Sequence, residues 1–561
     1  MIINRLNIKG GQSVEIGKFT ILIGPNNVGK SQTLKDIHSK LTTNDGISCT
    51  LVSSLEFDKT PSFEYFLDGL TINQHPSSVG VEQISGITSK LNTNETINFQ
   101  RDYLEQQYKE KGINALFGNM TKFRVSYLDA ESRLAVAKTA QSANLHKFAP
   151  QNLLQALYGA DHSVEQQLRT TFNEIFNKDL KLDYSGLTEL VFRVSDEFKD
   201  VPEDPKVAMK YFENCSILDQ QGDGYRSFVG VVLSLLLSSN RIVLLDEPEA
   251  FLHPAQARQL GHWMSNFIAT IPGQVIISTH NSNFIAGILS ANHPVDIYRL
   301  NRVDDQTTYN QIPPKSIELL AKSPILSSQR VLESLFHKGV VVCEADSDRI
   351  FYSTIASSNI TTQETLFIHA HNKQTIHIVL GLLKCANIPC CCIVDIDILN
   401  SKDDLNKLLI SLKSPLINAN QLKTLECLAE EVKAGSDAKA IEAIINNIEE
   451  FLTQLKNNEH NFSGARGAIN RIKKEATKWA TLKSSGLAVL KGTLKDDVEH
   501  LIEELGILGI FPVPVGELEG WIDLGEVKKN KWIVPALEHL AIHGAPDEVR
   551  QFVAKVLSYL S

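Results

Sequence analysis

Two blocks of alternating apolar and polar segments run along this chain, with a mixed run breaking the first of them. In the first block, Phe19-Thr20-Ile21-Leu22-Ile23 is short and almost wholly apolar, the pattern of a strand buried on both faces. Arg241-Ile242-Val243-Leu244-Leu245 and residues 274–278 repeat it, with helix-period segments over 227–238 and from Pro254. Strands alternating with helices predict a mostly parallel sheet flanked by helices. Residues 51–215 are mixed and largely polar with helical stretches, so they read as an insertion between the two ends of one domain. Within them, 92–111 is polar enough to be exposed, and Phe123-Arg124-Val125-Ser126-Tyr127-Leu128-Asp129 is strand-like. Residues 295–312 read as a β-hairpin that turns at Asp304-Asp305.

Pro313-Pro314 and Ser323-Pro324 then break the chain, which puts a domain boundary near residue 330. A second strand–helix rhythm follows: a strand to Glu344, a helix from Asp346, a strand over 366–369, a helix over 375–386 and a strand to Asp397. Charged, helix-forming sequence over 400–485 interrupts it. The rhythm resumes with 487–490, a helix over 496–505 and the strand-like 510–515. The expected organisation is two α/β domains, 1–330 and 331–561, each with a helical insertion.

Composition narrows the setting. Hydrophobic residues at 43% and charged residues at 21% are ordinary for a globular protein, and 561 residues suffice for two cores. No apolar run reaches the roughly 18 residues a membrane span needs. Met1-Ile2-Ile3-Asn4-Arg5 reads as the start of a strand rather than a signal peptide, so a cytoplasmic location is expected. Eight cysteines in so long a chain are no disulfide framework. Three of them, Cys390-Cys391-Cys392, lie in the strand leading to Asp395, where alternation sends neighbours to opposite faces. Core packing is therefore expected of them rather than a shared metal. The formal net charge of -10 means that any nucleic-acid contact must come from local basic patches.

The chemistry sits at strand ends. Gly24-Pro25-Asn26-Asn27-Val28-Gly29-Lys30-Ser31 fills G-x-x-x-x-G-K-[ST] between a strand and a helix, with Gln32 next. Glycines there let backbone N–H groups face phosphates at a positive helix end. Lys30 would reach the β- and γ-phosphates of ATP and Ser31 would ligate Mg²⁺. Asp246, closing the Arg241 strand, suits Mg²⁺ held through water, and Glu247 suits polarising the attacking water. Arg133 is a candidate for stabilising phosphate charge or for a surface ion pair.

Asp246-Glu247-Pro248-Glu249-Ala250-Phe251-Leu252-His253-Pro254 resembles ATPases of the ABC type, in particular their SMC-like branch. Val275-Ile276-Ile277-Ser278-Thr279-His280 resembles the switch-histidine strand of that family, which would make His280 a γ-phosphate sensor. Gln221-Gly222-Asp223-Gly224-Tyr225-Arg226-Ser227 stands where the family has its signature loop, in degenerate form. The resemblance implies that a second subunit completes each site.

In the second block, Glu344-Ala345-Asp346-Ser347-Asp348 and Asp395-Ile396-Asp397 close two apolar strands. Alternation puts Asp395 and Asp397 on one side. Carboxylates so clustered repel unless hard cations neutralise them, which suits Mg²⁺ or Mn²⁺ and phosphodiester hydrolysis. The order resembles the TOPRIM domain, a Rossmann-like α/β fold, and Asp348 resembles the further acid of its nuclease branch. Gly516-Glu517-Leu518-Glu519-Gly520-Trp521 resembles the closing L-E motif of the OLD family, with Glu519 fitting best and Glu517 as the alternative. That family places a TOPRIM nuclease after an ABC-type ATPase and uses a late lysine, for which Lys528, Lys529 and Lys531 are candidates and Lys531 is preferred.

The likeness spans nearly the whole chain. It implies an ATP-binding, metal-dependent DNA endonuclease or nickase, a dimer or larger homo-oligomer with 51–215 in the contact, and kinship with the Gabija-type and retron-associated nucleases of bacterial antiphage defence. Partners of that kind would be a helicase, a reverse transcriptase or a noncoding RNA. ATP restraining cleavage and ATP driving it are both open. The alternative classes are a non-cleaving repair or scaffold ATPase and a topoisomerase-related strand-passage enzyme, although no room for a tyrosine-bearing DNA gate is evident. Arg466, Arg471, Lys473, Lys474, Lys478 and Lys483 form the densest basic segment, with Arg471, Lys474 and Lys478 at helical spacing. Replacing them should weaken DNA retention and flatten its salt dependence in filter-binding titrations, and unchanged binding rejects the contact.

Overall fold

The computed structural model describes the chain except residues 44–48, 59–61, 239, 323–328, 358–363, 435–436, 458–463, 467–468, 470–477, 526–530 and 561. Two compact units result, Met1–Phe336 and His337–Ser561.

The first unit is centred on a six-stranded sheet in the order Gln306–Gln311, Asp296–Val303, Phe19–Ile23, Gln274–Ser278, Ile242–Asp246 and Val125–Leu128. All but the first of these strands run parallel. Phe19–Ile23 and Gln274–Ser278 are buried at every position, which is why their sequences are continuous rather than alternating. The hairpin turns at Asp304-Asp305 as expected, with Asp304 at φ 51°. The Lys30–Thr42, Asp223–Leu236 and Pro254–Thr270 helices follow the strand–helix rhythm, and Pro254 starts its helix behind a His253 cap.

Residues 51–215 differ from the helical insertion expected. They hold helices, but also a three-stranded antiparallel sheet (Thr71–Gln74, Glu82–Ile87, Asn94–Phe99) and the long hairpin Asp179–Asp183 with Glu189–Ser195. Val125–Leu128, from the middle of this run, closes one edge of the central sheet. Polar alternation hid the outer strands, since only one face of each is covered.

The second unit has a four-stranded, wholly parallel sheet in the order Thr365–His369, Gly339–Cys343, Cys390–Val394 and Ile510–Pro512. Cys343, Cys390, Cys391 and Cys392 are all fully buried in it. One face packs on a core that includes Phe351, Tyr352, Trp521, Trp532 and Phe552, where Trp521 Nε1 donates to the Tyr352 hydroxyl at 2.9 Å. The 400–485 insertion is helical where described: Lys402–Leu412, Ala419–Ala434, Asp437–Lys456 and Lys478–Ser485.

Two apolar stretches fold differently from the strand rhythm. Gly486–Val489 is a single 3₁₀ turn, because Gly486 takes φ 58° and the Leu487 N–H donates to the Pro514 carbonyl. The strand at 510 stops at Pro512, and the chain curls through Gly516 at φ 103°. A Cβ on Gly516 would stand 2.0 Å from the Lys483 carbonyl oxygen, so these two segments touch backbone to backbone. Gly516→Ala combines a steric clash with a left-handed φ and should cost about 2–4 kcal/mol in a urea melt of the full chain. A change within about 0.5 kcal/mol would show that the contact is slack.

Candidate functional site

The phosphate loop begins where the Phe19–Ile23 strand ends. Gly24 takes φ 136° with its Cα against the Leu300 carbonyl, and Gly29 takes φ 102° as the cap of the Lys30–Thr42 helix. Pro25 and Val28 are buried while Asn26 and Asn27 face solvent. The Lys30 ammonium folds into its own loop, donating to the carbonyls of Gly24 at 2.8 Å and Pro25 at 2.7 Å. Burial lowers it to about 8, against the pull of Glu247 and Asp246. Ser31 Oγ donates to Asp246 Oδ1 at 2.8 Å, so the loop and the Ile242–Asp246 strand meet as sequence reasoning placed them. Gln32 turns away, its amide donating to Asp36 within its own helix at 2.7 Å.

Three consecutive residues at the end of the neighbouring strand match three acids. Ser278 Oγ donates to Asp246 Oδ1, Thr279 Oγ1 donates to Glu249 Oε1 at 2.5 Å, and His280 Nδ1 lies 2.8 Å from Glu247 Oε1. The hydrogen bond to Glu247 raises the His280 pKa, and the same bond holds the Glu247 carboxyl below its ordinary value. Glu247 itself takes φ 51°, a left-handed conformation uncommon for a non-glycine residue. Glu249 is only 3% exposed, and burial pushes its carboxyl up to about 7.

Arg133 does neither of the things its sequence position suggested. It is fully buried, and its guanidinium donates to the backbone carbonyls of Asp246 at 2.5 Å and Glu247 at 2.9 Å and to Ser227 Oγ at 3.2 Å. It therefore braces the acid-bearing turn against the helix that carries the degenerate signature loop. In that loop Gly222 precedes the Asp223–Leu236 helix, Arg226 pairs with Asp223 at 2.9 Å, and the Tyr225 ring packs on Phe176.

In the second unit the acids gather where the strands end. Glu344 follows Gly339–Cys343, Asp395 follows Cys390–Val394, and Asp397 lies in the Ile396–Asn400 turn. Two lysines hold the aspartates. Lys483 Nζ is 2.6 Å from Asp395 Oδ2 and 3.2 Å from Asp397 Oδ2, and Lys373 Nζ is 3.0 Å from Asp397 Oδ1. Asp395 and Asp397 thus share one ammonium. Burial alone would raise Asp397, yet Lys373 and Lys483 hold it below its ordinary value. Burial alone would lower Lys483, yet Asp395 and Asp397 push it well up. Glu344 has the opposite fate: burial, then repulsion from Asp395 and Asp397, pushes it up to about 7. Its Oε2 is buried without a hydrogen-bond partner among the described residues.

Other sequence candidates fall around this cluster. Asp348 Oδ2 accepts the Ala345 N–H at 2.9 Å, capping the first turn of the Asp346–Ser357 helix, while Asp346 pairs with Arg349 and His369. Glu519 lies in the Leu518–Trp521 turn. That turn follows the Gly516 loop, and the Gly516 carbonyl accepts the Ile396 N–H at 2.9 Å between the two aspartates. Lys531 is exposed ahead of the Ile533–His543 helix, and Lys528, Lys529, Arg471, Lys473 and Lys474 lie outside the described residues. Lys483, grouped by sequence with a solvated basic face, instead reaches the acids. Lys373 and Lys483 were missed as site residues. Lys373 carried one usable signal, since it follows a strand at the same carboxyl edge of the sheet.

Among the described residues, no three His, Cys, Asp or Glu side chains are already set around a common point for a metal ion. The donor set nevertheless fits a hard divalent cation. Glu344, Asp395 and Asp397 are oxygen ligands in mutual repulsion, with a buried Glu344 oxygen left over and two ammonium groups supplying the missing positive charge.

Comparison with known proteins bears on the two domains. Residues 152–286 match the family model "AAA domain, putative AbiEii toxin, Type IV TA system", and residues 335–397 match "Overcoming lysogenization defect protein-like, TOPRIM domain". Solved structures similar to the chain include the SmcHead bound to the C-winged helix domain of ScpA, at 12% identity over 56% of this chain and 99% of that one, with a TM-score of 0.34. The SMC head domain from Thermotoga maritima gives 11%, 56%, 100% and 0.28 for the same quantities. The Smc head domain with an extended coiled coil, bound to the C-terminal domain of ScpA derived from Pyrococcus furiosus, gives 11%, 57%, 98% and 0.29. No curated protein matches. The chain thus joins a region matching an AAA-type ATPase domain to one matching an OLD-like TOPRIM domain.

Glu249 yields a pH test. Its folded-state value, about 7, lies above the ordinary 4.5, so the folded chain keeps this proton longer. Its contribution to stability is complete below about 4.5 and is lost as pH rises towards about 7. Glu249→Gln should remove that loss and stabilise the chain by about 2 kcal/mol at pH 8 relative to wild type. Parallel denaturation curves for the two proteins from pH 5 to pH 8 would contradict it.

Proposed function

We propose that this ATPase–TOPRIM chain is a divalent-metal-dependent DNA endonuclease or nickase whose cleavage is governed by nucleotide state. The observation that carries the reading is the meeting of Glu344, Asp395 and Asp397 at the carboxyl edge of a parallel sheet, where burial and then repulsion from the two aspartates push the Glu344 carboxyl up to about 7. Nothing in apolar packing requires three acids there.

In the first unit, Lys30 would leave its loop carbonyls for the β- and γ-phosphates of ATP, and Ser31 with Asp246 would hold Mg²⁺. Glu247, held by His280 and by the Arg133 brace beneath it, would orient water and take its proton. His280 would lose or keep that contact according to whether a γ-phosphate is present. In the second unit Glu344, Asp395 and Asp397 would hold Mg²⁺ or Mn²⁺, with Asp348 and Glu519 contributing. The bound ions would neutralise phosphate charge and lower the pKa of water. Before an ion binds, Lys373 and Lys483 would keep the acids' charge balanced.

By family resemblance the chain would act as a homo-oligomer in which the 221–227 loop of a second copy completes each ATP site. A role in antiphage defence, with a helicase, reverse transcriptase or noncoding RNA partner, rests on the same resemblance. A second reading is a non-cleaving scaffold ATPase, favoured by the ion pairs that already join both aspartates to Lys373 and Lys483.

Purified protein incubated with supercoiled plasmid and Mg²⁺ or Mn²⁺, across ATP concentrations, separates the readings. Nicked or linear plasmid is expected, lost by at least about a hundredfold in Asp395→Asn and dependent on ATP in rate. Plasmid left intact under every condition supports the scaffold, altered linking number a strand-passage enzyme, and ATP-independent cleavage removes the coupling.

A further inference from the structure

We infer that Lys483 is the resident counter-cation of the acidic centre, with Lys373 as its second, and that a divalent ion enters by displacing the Lys483 ammonium from Asp395 and Asp397. The inference rests on the reading of this centre as a metal site and adds which side chain the ion must compete with. Lys483 bridges the two aspartates at 2.6 and 3.2 Å, and Lys373 takes the other oxygen of Asp397 at 3.0 Å. Both oxygens of Asp397 and one of Asp395 are therefore ion-paired. A hard cation held at about 2.1 Å by oxygens of this cluster would stand within a few ångström of the Lys483 ammonium, and the two like charges would repel.

The anchoring of Lys483 suits such a competitor. Its backbone is pinned: the Lys483 carbonyl abuts Gly516, and next to it the Leu487 N–H donates to Pro514. Its side chain is a flexible four-carbon stem, only partly buried at 28% exposure, so the ammonium can swing away without any backbone movement. Chain topology also separates the parts. Lys483 arrives from the end of the 400–485 insertion, whereas the acids belong to the sheet, so the insertion supplies the charge that steadies the acids and resists metal entry.

Isothermal titration of the full chain with Mn²⁺, with melting temperatures taken alongside, tests this without reference to cleavage. Wild type should bind Mn²⁺ and Asp395→Asn should lose the site. Lys483→Gln should bind about tenfold tighter, since one opposing charge within a few ångström is removed. Metal-free Lys483→Gln should also melt below wild type and gain more from Mn²⁺. Lys373→Gln should shift the same way by less, and it carries the test should Lys483→Gln fail to fold. Wild-type Mn²⁺ binding with equal or weaker affinity in the lysine variants overturns the counter-cation role alone. Absence of Mn²⁺ binding by wild type overturns the metal reading and this inference with it.

Discussion

Carboxylates brought together away from bulk water repel one another, and each unit of this chain is organised around answering that repulsion. Parallel sheets create the problem, because they end their strands at one edge and deliver every terminal side chain to the same place. Asp246, Glu247 and Glu249 converge there in the first unit, and Glu344, Asp395 and Asp397 in the second. A stable fold must supply positive charge, hydrogen-bond donors or protons at exactly those edges' openings, and the three remedies are visible side by side. Lys483 and Lys373 supply charge, Ser278 and Thr279 supply donors, and Glu249 and Glu344 keep protons towards neutrality.

The two edges differ in how rigidly the remedy is built. Around the ATP site the donors sit on a buried strand end and Arg133 locks the acid-bearing backbone from below, so the acids are held in place whatever binds above them. His280 is the exposed member of that ladder, about half open to solvent. Around the second edge the positive charge comes from long lysine stems, which can leave. A fixed frame with one responsive histidine suits repeated nucleotide turnover, and removable counter-cations suit a centre that waits for metal.

Much of this was legible in the sequence because the informative residues sit in short contiguous runs. Gly24 to Ser31, Asp246-Glu247, Glu344 and Asp395 to Asp397 each follow an apolar strand, and strand ends in a parallel sheet fix where a side chain must emerge. What stayed hidden depended on long-range contact. Arg133 looked like any polar residue of a mixed segment, and only the fold brings its guanidinium under carbonyls 113 and 114 residues away. Lys483 stood in a basic stretch whose helical spacing suggested a solvent face, while its partners lie 88 and 86 residues earlier across the insertion. The polar outer strands within 51–215 read as helix or loop because half-covered strands leave little apolar signal. Local patterns revealed the acids, and distant packing decided what neutralises them.

Diffraction from crystals grown with Mn²⁺, collected at an energy where manganese scatters anomalously, addresses the central constraint directly. An anomalous peak about 2.0–2.4 Å from oxygens of Glu344, Asp395 and Asp397, with the Lys483 ammonium withdrawn from both aspartates, is the expected result. Lys483 still bridging Asp395 and Asp397 at saturating Mn²⁺, with no peak at the sheet edge, would contradict it.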